Sequence, residues 1–378
     1  MTAITSLDAK TDLAAVVIGG AINESVMQKI WDVSRVPLPF TDRVGTGSCS
    51  AAQQDWVRDR LAAGADNAFV ETAETPITGA SAVTVVQDAS VQPLNRYRNH
   101  VQVSARVAVV TELSNLVSSV GGSGGIAYQI MKAQRQLKQD IEYMITARTQ
   151  ASLAGNGTTI APRCNSLNAI ADLNIVGTLD TFRSIASAGA STDGGWDGAS
   201  VFAAPNMVAT PTPTALAESD IRDAVQDLYM MGSSDPDKAL VLMTSPPLKR
   251  IISEYYYTST AKAAPFIKTS GEGANQRAVG SVEFIVTDYA TLELVPNRFM
   301  GEEQATSNGA SLANNHQLHI FDPDMFEIVY ARGVVTQELA KVGLAERRLV
   351  NAYWSTRFHP EAYSLICDIS VTAAMTAT

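Results

Sequence analysis

The chain has 378 residues, of which 46% are hydrophobic and only 17% charged, and its net charge is −10. That length exceeds one ordinary core and calls for two or three core-forming units. The acidic balance, with no run of Lys or Arg, excludes a protein that grips nucleic acid through a general basic face. A low charge fraction also fits a chain that hides surface against neighbours. Cys49, Cys164 and Cys367 are few and scattered. They build neither a disulfide framework nor a CxxC metal site, which fits synthesis in a reducing compartment. The N-terminus has no basic region, and its apolar run from Leu13 to Ile18 is short and preceded by Asp8, Lys10 and Asp12, so no signal peptide is expected. No stretch approaches transmembrane length. The expectation is a protein made in the cytosol, with no membrane partner.

Residues 1 to about 50 lack a sustained period and cannot bury a core alone. Trp31, Pro37, Pro39 and Phe40 are anchors, so the segment reads as an arm lying along something else. From Gln54 to Leu61 a strand is expected, with Trp56, Arg58 and Arg60 on one face and Val57, Asp59 and Leu61 on the other. Ala62 to Gln92 is rich in Ala, Gly, Thr and Asp, with weak alternation from Ala82 to Val86. Then Val101, Val103, Ala105, Val107 and Val109 alternate with His100, Gln102, Ser104 and Arg106, the period of a strand with one wet face. Two strands joined by a long, weakly apolar excursion predict a projecting hairpin. Its open edges call for a partner.

The run Gly121-Gly122-Ser123-Gly124-Gly125 releases the chain into a helical pattern of Ile126, Ile130, Ala133, Leu137, Ile141 and Met144. No proline interrupts it, and Gly155-Asn156-Gly157 supplies a stop. A helix over 126–154 would be roughly 43 Å long, more than a compact domain usually needs. Lys132, Arg135, Lys138 and Glu142 form its charged face, either solvated or set against a neighbouring subunit. Pro205, Pro211 and Pro213 mark a linker or crossover. A helix is predicted over Glu218 to Met231, a buried strand over Ala239 to Met243, and a helix capped by Ser245 with Pro246 at its first position. A hairpin of Val282 to Val286 with Thr291 to Val295 completes a compact α/β unit. In the last third, Gln317–Phe321 with Phe326–Tyr330, and Leu349–Arg357 with Ala362–Ile369, read as two further hairpins around Asp322-Pro323-Asp324 and His359-Pro360.

Catalytic patterns are weak. Gly121-x-Ser123-x-Gly125 matches a nucleophile elbow, but the preceding Leu113 to Val120 holds Ser114, Asn115, Ser118 and Ser119 and is no buried strand. A flexible glycine hinge explains the run better than a hydrolase built on Ser123. His316 and His319 are three apart in a predicted strand and so face opposite ways, a poor metal pair. Surface or hairpin placement is their expected position. Both Asp-Pro-Asp sequences fit turn chemistry better than a calcium loop. Gly271-x-Gly273 lacks the Lys-Ser/Thr of a phosphate loop and reads as an edge loop. No catalytic set, metal site or cofactor is expected.

Several phrases carry a resemblance: Asn99–Val109 (NHVQVSARVAV), Ala127–Glu142 (AYQIMKAQRQLKQDIE), Val295–Met300 (VPNRFM), Ile320–Tyr330 (IFDPDMFEIVY) and Ala340–Val350 (AKVGLAERRLV). Together with the order arm, hairpin, long helix, α/β unit and returning strands, they resemble the major capsid protein of tailed bacteriophages, the HK ninety-seven-like fold. The resemblance covers most of the chain from about residue 95. It implies an α+β fold with an N-arm (1–52), an E-loop hairpin (53–110) and a P-domain with a spine helix (111–210). An A-domain (211–305) and returning strands that complete both domains (306–378) would follow. It further implies pentamers and hexamers in an icosahedral shell, with the E-loop reaching over an adjacent subunit. Portal, scaffolding and decoration proteins are implied partners, and packaged DNA would be enclosed without sequence-specific contact. The virion would be its location, assembled in the host cytoplasm. Trp31, Phe40, Trp56, Arg58, Arg60, Lys132, Arg135, Lys138, Gly271 and Gly273 are the expected assembly contacts, and Gly121, Gly122, Gly124 and Gly125 the expected hinge. An encapsulin-like compartment is the alternative with the same fold.

Overall fold

Two sheets and one long helix organise the chain, because apolar residues alternate in some stretches and recur every third or fourth position in others. A computed structural model describes residues 37–58, 95–116, 125–146, 152–167, 181–183, 195–196, 202–203, 215–230, 238–258, 282–300, 315–359, 362–372 and 374–376. Strands β1 (Gly45–Ser48), β2 (Gln53–Arg58), β3 (Asn95–His100) and β4 (Gln102–Thr111) precede a short helix α1 (Glu112–Leu116) and the long helix α2 (Ile126–Thr146). Short strands β5 (Thr181–Arg183), β6 (Gly195–Trp196) and β7 (Phe202–Ala203) follow. Next come α3 (Glu218–Met230), β8 (Ala239–Thr244), α4 (Pro246–Thr258), β9 (Phe284–Val286) and β10 (Thr291–Pro296). The chain closes with β11 (Asn315–Phe321), β12 (Phe326–Val342), β13 (Ala345–Phe358) and β14 (Tyr363–Ser370).

One sheet runs in the order β1-β12-β13-β4 and the other in the order β5-β14-β11-β8-β10-β9, while β2 and β3 pair as a separate ribbon. Helix α2 lies on the four-stranded sheet. Its stripe of Ala133, Leu137, Ile141 and Ile145 shares a core with Ala108, Val350, Ala352 and Trp354. The six-stranded sheet has its own core. Ile221, Ala224, Val225 and Leu228 recur at helical spacing on α3 and meet Leu240, Leu242, Leu292 and Leu294 of β8 and β10, along with Leu248 and Ile252 of α4. β8 and β10 run parallel, which accounts for the unbroken apolar run of β8.

Several expectations are corrected. The two C-terminal hairpins do not form as paired. β11 bonds to β14 and β8, whereas β12 bonds to β1 and β13. Asp322-Pro323-Asp324 is a crossover between sheets: Asp322 caps a 3-10 turn by accepting from the Asp324 N–H. The true hairpin is β12–β13, turning at Gly343, whose φ of 65° suits glycine. A period of two marks a strand but does not name its partner. The long helix is also shorter than expected, 21 residues or about 32 Å. Beyond it, Leu153 and Arg163 exchange both backbone hydrogen bonds at 3.0 Å. At Gly155 an added Cβ would sit 2.7 Å from Pro162 Cδ, so glycine is required there by close packing.

The face of β4 is reversed. Gln102, Ala108 and Val110 are the buried positions, and Arg106 turns to the helix to pair with Asp140 at 2.6 Å. Val103, Val107 and Val109, the expected dry face, point away from α2. The histidines are likewise not surface residues. His316 Nδ1 lies 2.8 Å from Ser245 Oγ and His319 Nδ1 lies 2.6 Å from Tyr363 Oη, both in buried surroundings.

His319 carries a pH consequence. Burial lowers its pKa from 6.5 to about 3. A depressed folded pKa means the neutral ring supports the fold above the unfolded value and loses that support as pH falls toward the folded one. His319→Asn, which keeps an acceptor near the Nδ1 position, is expected to flatten the loss of stability between pH 6.5 and about pH 4 by up to about 3 kcal/mol. Urea unfolding across that range checks it; equal pH slopes for variant and wild type would refute it.

Candidate functional site

Among the described residues, two attachments fasten extended segments to the body of the chain. The first is Glu142. It lies off the apolar stripe of α2, where a solvated charge was expected, yet it is 0% exposed. The last turns of the helix are enclosed on more than one side: Ile141, Glu142, Ile145 and Thr146 are all buried. Glu142 Oε1 accepts from the Phe40 N–H at 2.9 Å and from Asn297 Nδ2 at 3.0 Å. Oε2 accepts from the Thr41 N–H at 2.8 Å and from Thr41 Oγ1 at 2.6 Å. One carboxylate thereby ties the arm's exit, the long helix and the turn after β10. Burial raises its pKa against the lowering effect of these donors. Arg43 of the arm is engaged elsewhere, pairing with Glu293 of β10 at 2.6 Å.

The second attachment is the root of the hairpin. β2 and β3 pair antiparallel from Gln53 with His100 to Arg58 with Asn95. The chain then leaves the ribbon at Val101 and enters the four-stranded sheet as β4. A polar cluster holds this bend. Asn99 Nδ2 donates to the carbonyl and hydroxyl of Thr356, each at 2.9 Å, and to Asn165 Oδ1. Asn99 Oδ1 accepts from the His100 and Asn165 N–H groups at 3.0 and 3.2 Å. His100 Nδ1 lies 2.9 Å from Ser152 Oγ, and Ser355 Oγ donates to the His100 carbonyl at 3.0 Å. Burial first, and Arg98 second, lower the His100 pKa. Arg98 itself forms a two-pronged pair with Asp55 across the ribbon at 2.8 and 3.1 Å. A small cavity nearby, lined by Phe40, Ile145, Asn165, Phe326 and Phe358, has room for about one water molecule.

The expected contact residues divide sharply. Phe40 and Trp56 are inside their own subunit, 1% and 8% exposed. Phe40 packs on Phe321 and Phe326 with centroids 5.5 and 6.3 Å away. Trp56 lies edge-on to Phe358 at 5.4 Å and beside Tyr97 at 6.0 Å. Neither leaves a surface for a neighbour, because each closes the core at the point where an extended segment departs. Lys132, Arg135 and Lys138 are exposed on α2, but Glu142 does not belong with them. Trp31, Arg60, Gly121, Gly122, Ser123, Gly124, Gly271 and Gly273 lie outside the described residues, as does the side chain of Arg58. Gly125 forms the bend that opens α2. No group of His, Cys, Asp or Glu among the described residues is arranged to hold a metal. Asn99 and Asn165 were not singled out in the sequence. Asn99 shares the inward period of Tyr97 and Val101, and that was the only available signal.

Two substitutions test these attachments. Glu142→Gln turns an amide nitrogen toward donors and is expected to cost about 2–4 kcal/mol, read as a lower urea midpoint and earlier proteolysis near residue 40. Asn99→Ala strands Asn165 and Thr356 and is expected to cost about 2–3 kcal/mol, with faster hydrogen exchange in β2 and β3. Unchanged midpoints for either variant would remove its assigned role.

The comparisons with known proteins follow the same architecture. The family model for the SU10 major capsid protein matches residues 3–369. Among solved structures, the capsid asymmetric unit of cyanophage A-1(L) superposes with a TM-score of 0.56 at 10% identity, covering 95% of this chain and 99% of that one. The capsid of cyanophage Pam1 gives 0.53 at 9% identity, covering 93% and 96%. The holo-SrpI encapsulin complex from Synechococcus elongatus gives 0.50 at 11% identity, covering 97% and 98%. No curated protein matches the chain in sequence. At these identities structural likeness speaks for the fold alone, which is HK ninety-seven-like; kinship comes from the family match, and by it the chain belongs to the SU10 major capsid protein family.

Proposed function

We propose that this chain self-assembles into the icosahedral head of a tailed double-stranded DNA bacteriophage and encloses its genome. The carrying observation is the capsid-family match across residues 3–369, on a fold that also spans nearly the whole of the capsid subunits it resembles. Its functional parts are then geometric. The arm (1–52) and hairpin loop (53–110) reach toward neighbours, the spine helix α2 stiffens the P-domain, and the α/β unit (211–305) faces the capsomer axis. The returning strands (306–378) serve both domains, a reading supported by β11 and β14 in one sheet and β12 and β13 in the other.

Heterologous contacts close into pentamers and hexamers rather than dimers, and many weak contacts per subunit make a stable shell. Lys132, Arg135 and Lys138 are offered as charge contacts between subunits, and Gly121, Gly122, Gly124 and Gly125 as the hinge of the loop. The net charge of −10 suits enclosure of DNA without a sequence-specific grip. Portal, scaffolding and decoration proteins are the natural partners, and assembly occurs in the host cytoplasm before the subunit becomes part of the virion. The likeness to an encapsulin supports a second reading, a compartment that houses protein cargo. Electron microscopy of the purified chain is expected to show closed icosahedral shells, and particles recovered from infected cells are expected to hold nuclease-protected DNA. Shells that carry a protein cargo and no DNA would favour the second reading; a chain that stays monomeric would refute both.

A further inference from the structure

Asn-Gly occurs twice in the chain, at Asn156-Gly157 and at Asn308-Gly309; the second pair lies outside the described residues. The first tops an exposed loop whose base is the backbone pairing of Leu153 with Arg163. Within the loop the Asn156 N–H donates to the Ile160 carbonyl at 3.1 Å. The Asn156 side chain closes the turn. Its Oδ1 accepts from the N–H groups of Thr158, Thr159 and Ile160 at 3.1, 2.9 and 2.7 Å. Its Nδ2 donates to Thr159 Oγ1 at 2.8 Å. Gly157 has a φ of 77°, and the space a Cβ would take there is open. Its N–H donates no hydrogen bond among the described residues. Three requirements for breaking an amide thus surround one carbon atom. The nucleophile is the Gly157 nitrogen, next in the chain, unshielded and open to the solvent base that removes its proton. The three N–H groups on Oδ1 stabilise the negative charge that gathers there when the carbonyl carbon becomes tetrahedral. A hydroxyl sits against the leaving nitrogen, where it can supply a proton.

We propose that Asn156 is a self-modification site, at which the folded loop converts the asparagine to aspartate with water as the only co-reactant. The Gly157 nitrogen, having lost its proton to solvent base, bonds to Asn156 Cγ. The Cγ–Nδ2 bond breaks, and Nδ2 leaves as ammonia with a proton from Thr159 Oγ1, which regains one from water. Water then adds to Cγ of the cyclic imide and breaks its bond to the Gly157 nitrogen, leaving a carboxylate. The loop also selects this product. A carboxylate keeps the three N–H donors on one oxygen and takes the Thr159 hydroxyl, turned to donate, on the other. Opening the imide at its other carbonyl gives isoaspartate, whose backbone is longer by a methylene and carries these partners out of reach. Each converted chain adds one negative charge, on an exposed loop, to its net −10. The step depends only on the loop, so it holds whether or not the chain builds a shell.

The test incubates the full-length folded chain at mildly alkaline pH beside a synthetic peptide of residues 153–163. Peptide mapping by mass spectrometry reads conversion at Asn156, with Asn308 of the same chain as an internal reference. The expected result is conversion at least as fast in the folded chain as in the peptide. Aspartate is expected as its main product, where the free peptide gives chiefly isoaspartate. Slower conversion than in the peptide, or isoaspartate as the main product, would overturn the proposal in favour of a loop that protects its amide. Thr159→Val is expected to slow conversion at Asn156 at least about tenfold and to leave Asn308 unchanged. An unchanged rate at Asn156 in that variant would also overturn it. Asn156→Asp, which supplies the product directly, is expected to melt no lower than the wild type. A lower melting temperature would mean that the three N–H groups do not hold a carboxylate, and the proposal would fall.

Discussion

A buried carboxylate with four donors, and no cation among the described residues, is the constraint on which the arrangement of this subunit depends. Glu142 gathers the two backbone amides and the hydroxyl of the arm's exit together with the Asn297 amide. Burying such a charge is costly unless its hydrogen bonds are complete, so the arm, the helix and the end of β10 must all be in place together. Removing any one of them strands the others. This makes the helix a junction between the two sheets as well as a support for one of them. Asn297 strengthens the junction, because its own N–H is bonded to the Thr244 carbonyl at the end of β8.

The root of the hairpin follows a similar logic with neutral groups. An extended ribbon cannot be held by its own two strands, which are marginal in isolation. Here the ribbon is held at its base by Trp56, wedged against Tyr97 and Phe358, and by the Asn99 cluster. Aromatic packing supplies the burial, and the amide network fixes the direction, since each of its hydrogen bonds requires a particular orientation. Phe40 and Trp56, which look like docking anchors in the sequence, thus fasten extended segments to their own body. Val103, Val107 and Val109 of β4, by contrast, remain about half exposed on the outer face of the sheet.

How much of this was legible follows from the range of the forces involved. The helix over α2, the capped α4 with Ser245 and Pro246, and the buried β8 were all readable, because their signals lie within a few residues of one another. The alternation of β4 was readable as a strand. Which side met the helix was not, because alternation marks two faces without saying which of them the core takes. The pairing of β11 through β14 was misread for a related reason: strands adjacent in the chain are usual partners, but here a 3-10 turn at Asp322-Pro323-Asp324 passes the chain from one sheet to the other.

The amino-acid sequence by itself determined the kind of elements present, much of their order and the acidic net charge, since these follow from local periodicity, turn chemistry and composition. It also carried enough patterned phrases to mark the family. Tertiary structure decided the strand partners, the enclosure of Glu142, Phe40, Trp56 and His319, and the outward turn of Val103, Val107 and Val109. Those outcomes depend on contacts between residues up to 302 positions apart, as between Trp56 and Phe358. No window of sequence spans such contacts, and only the closed core shows which side of an amphipathic element is still open.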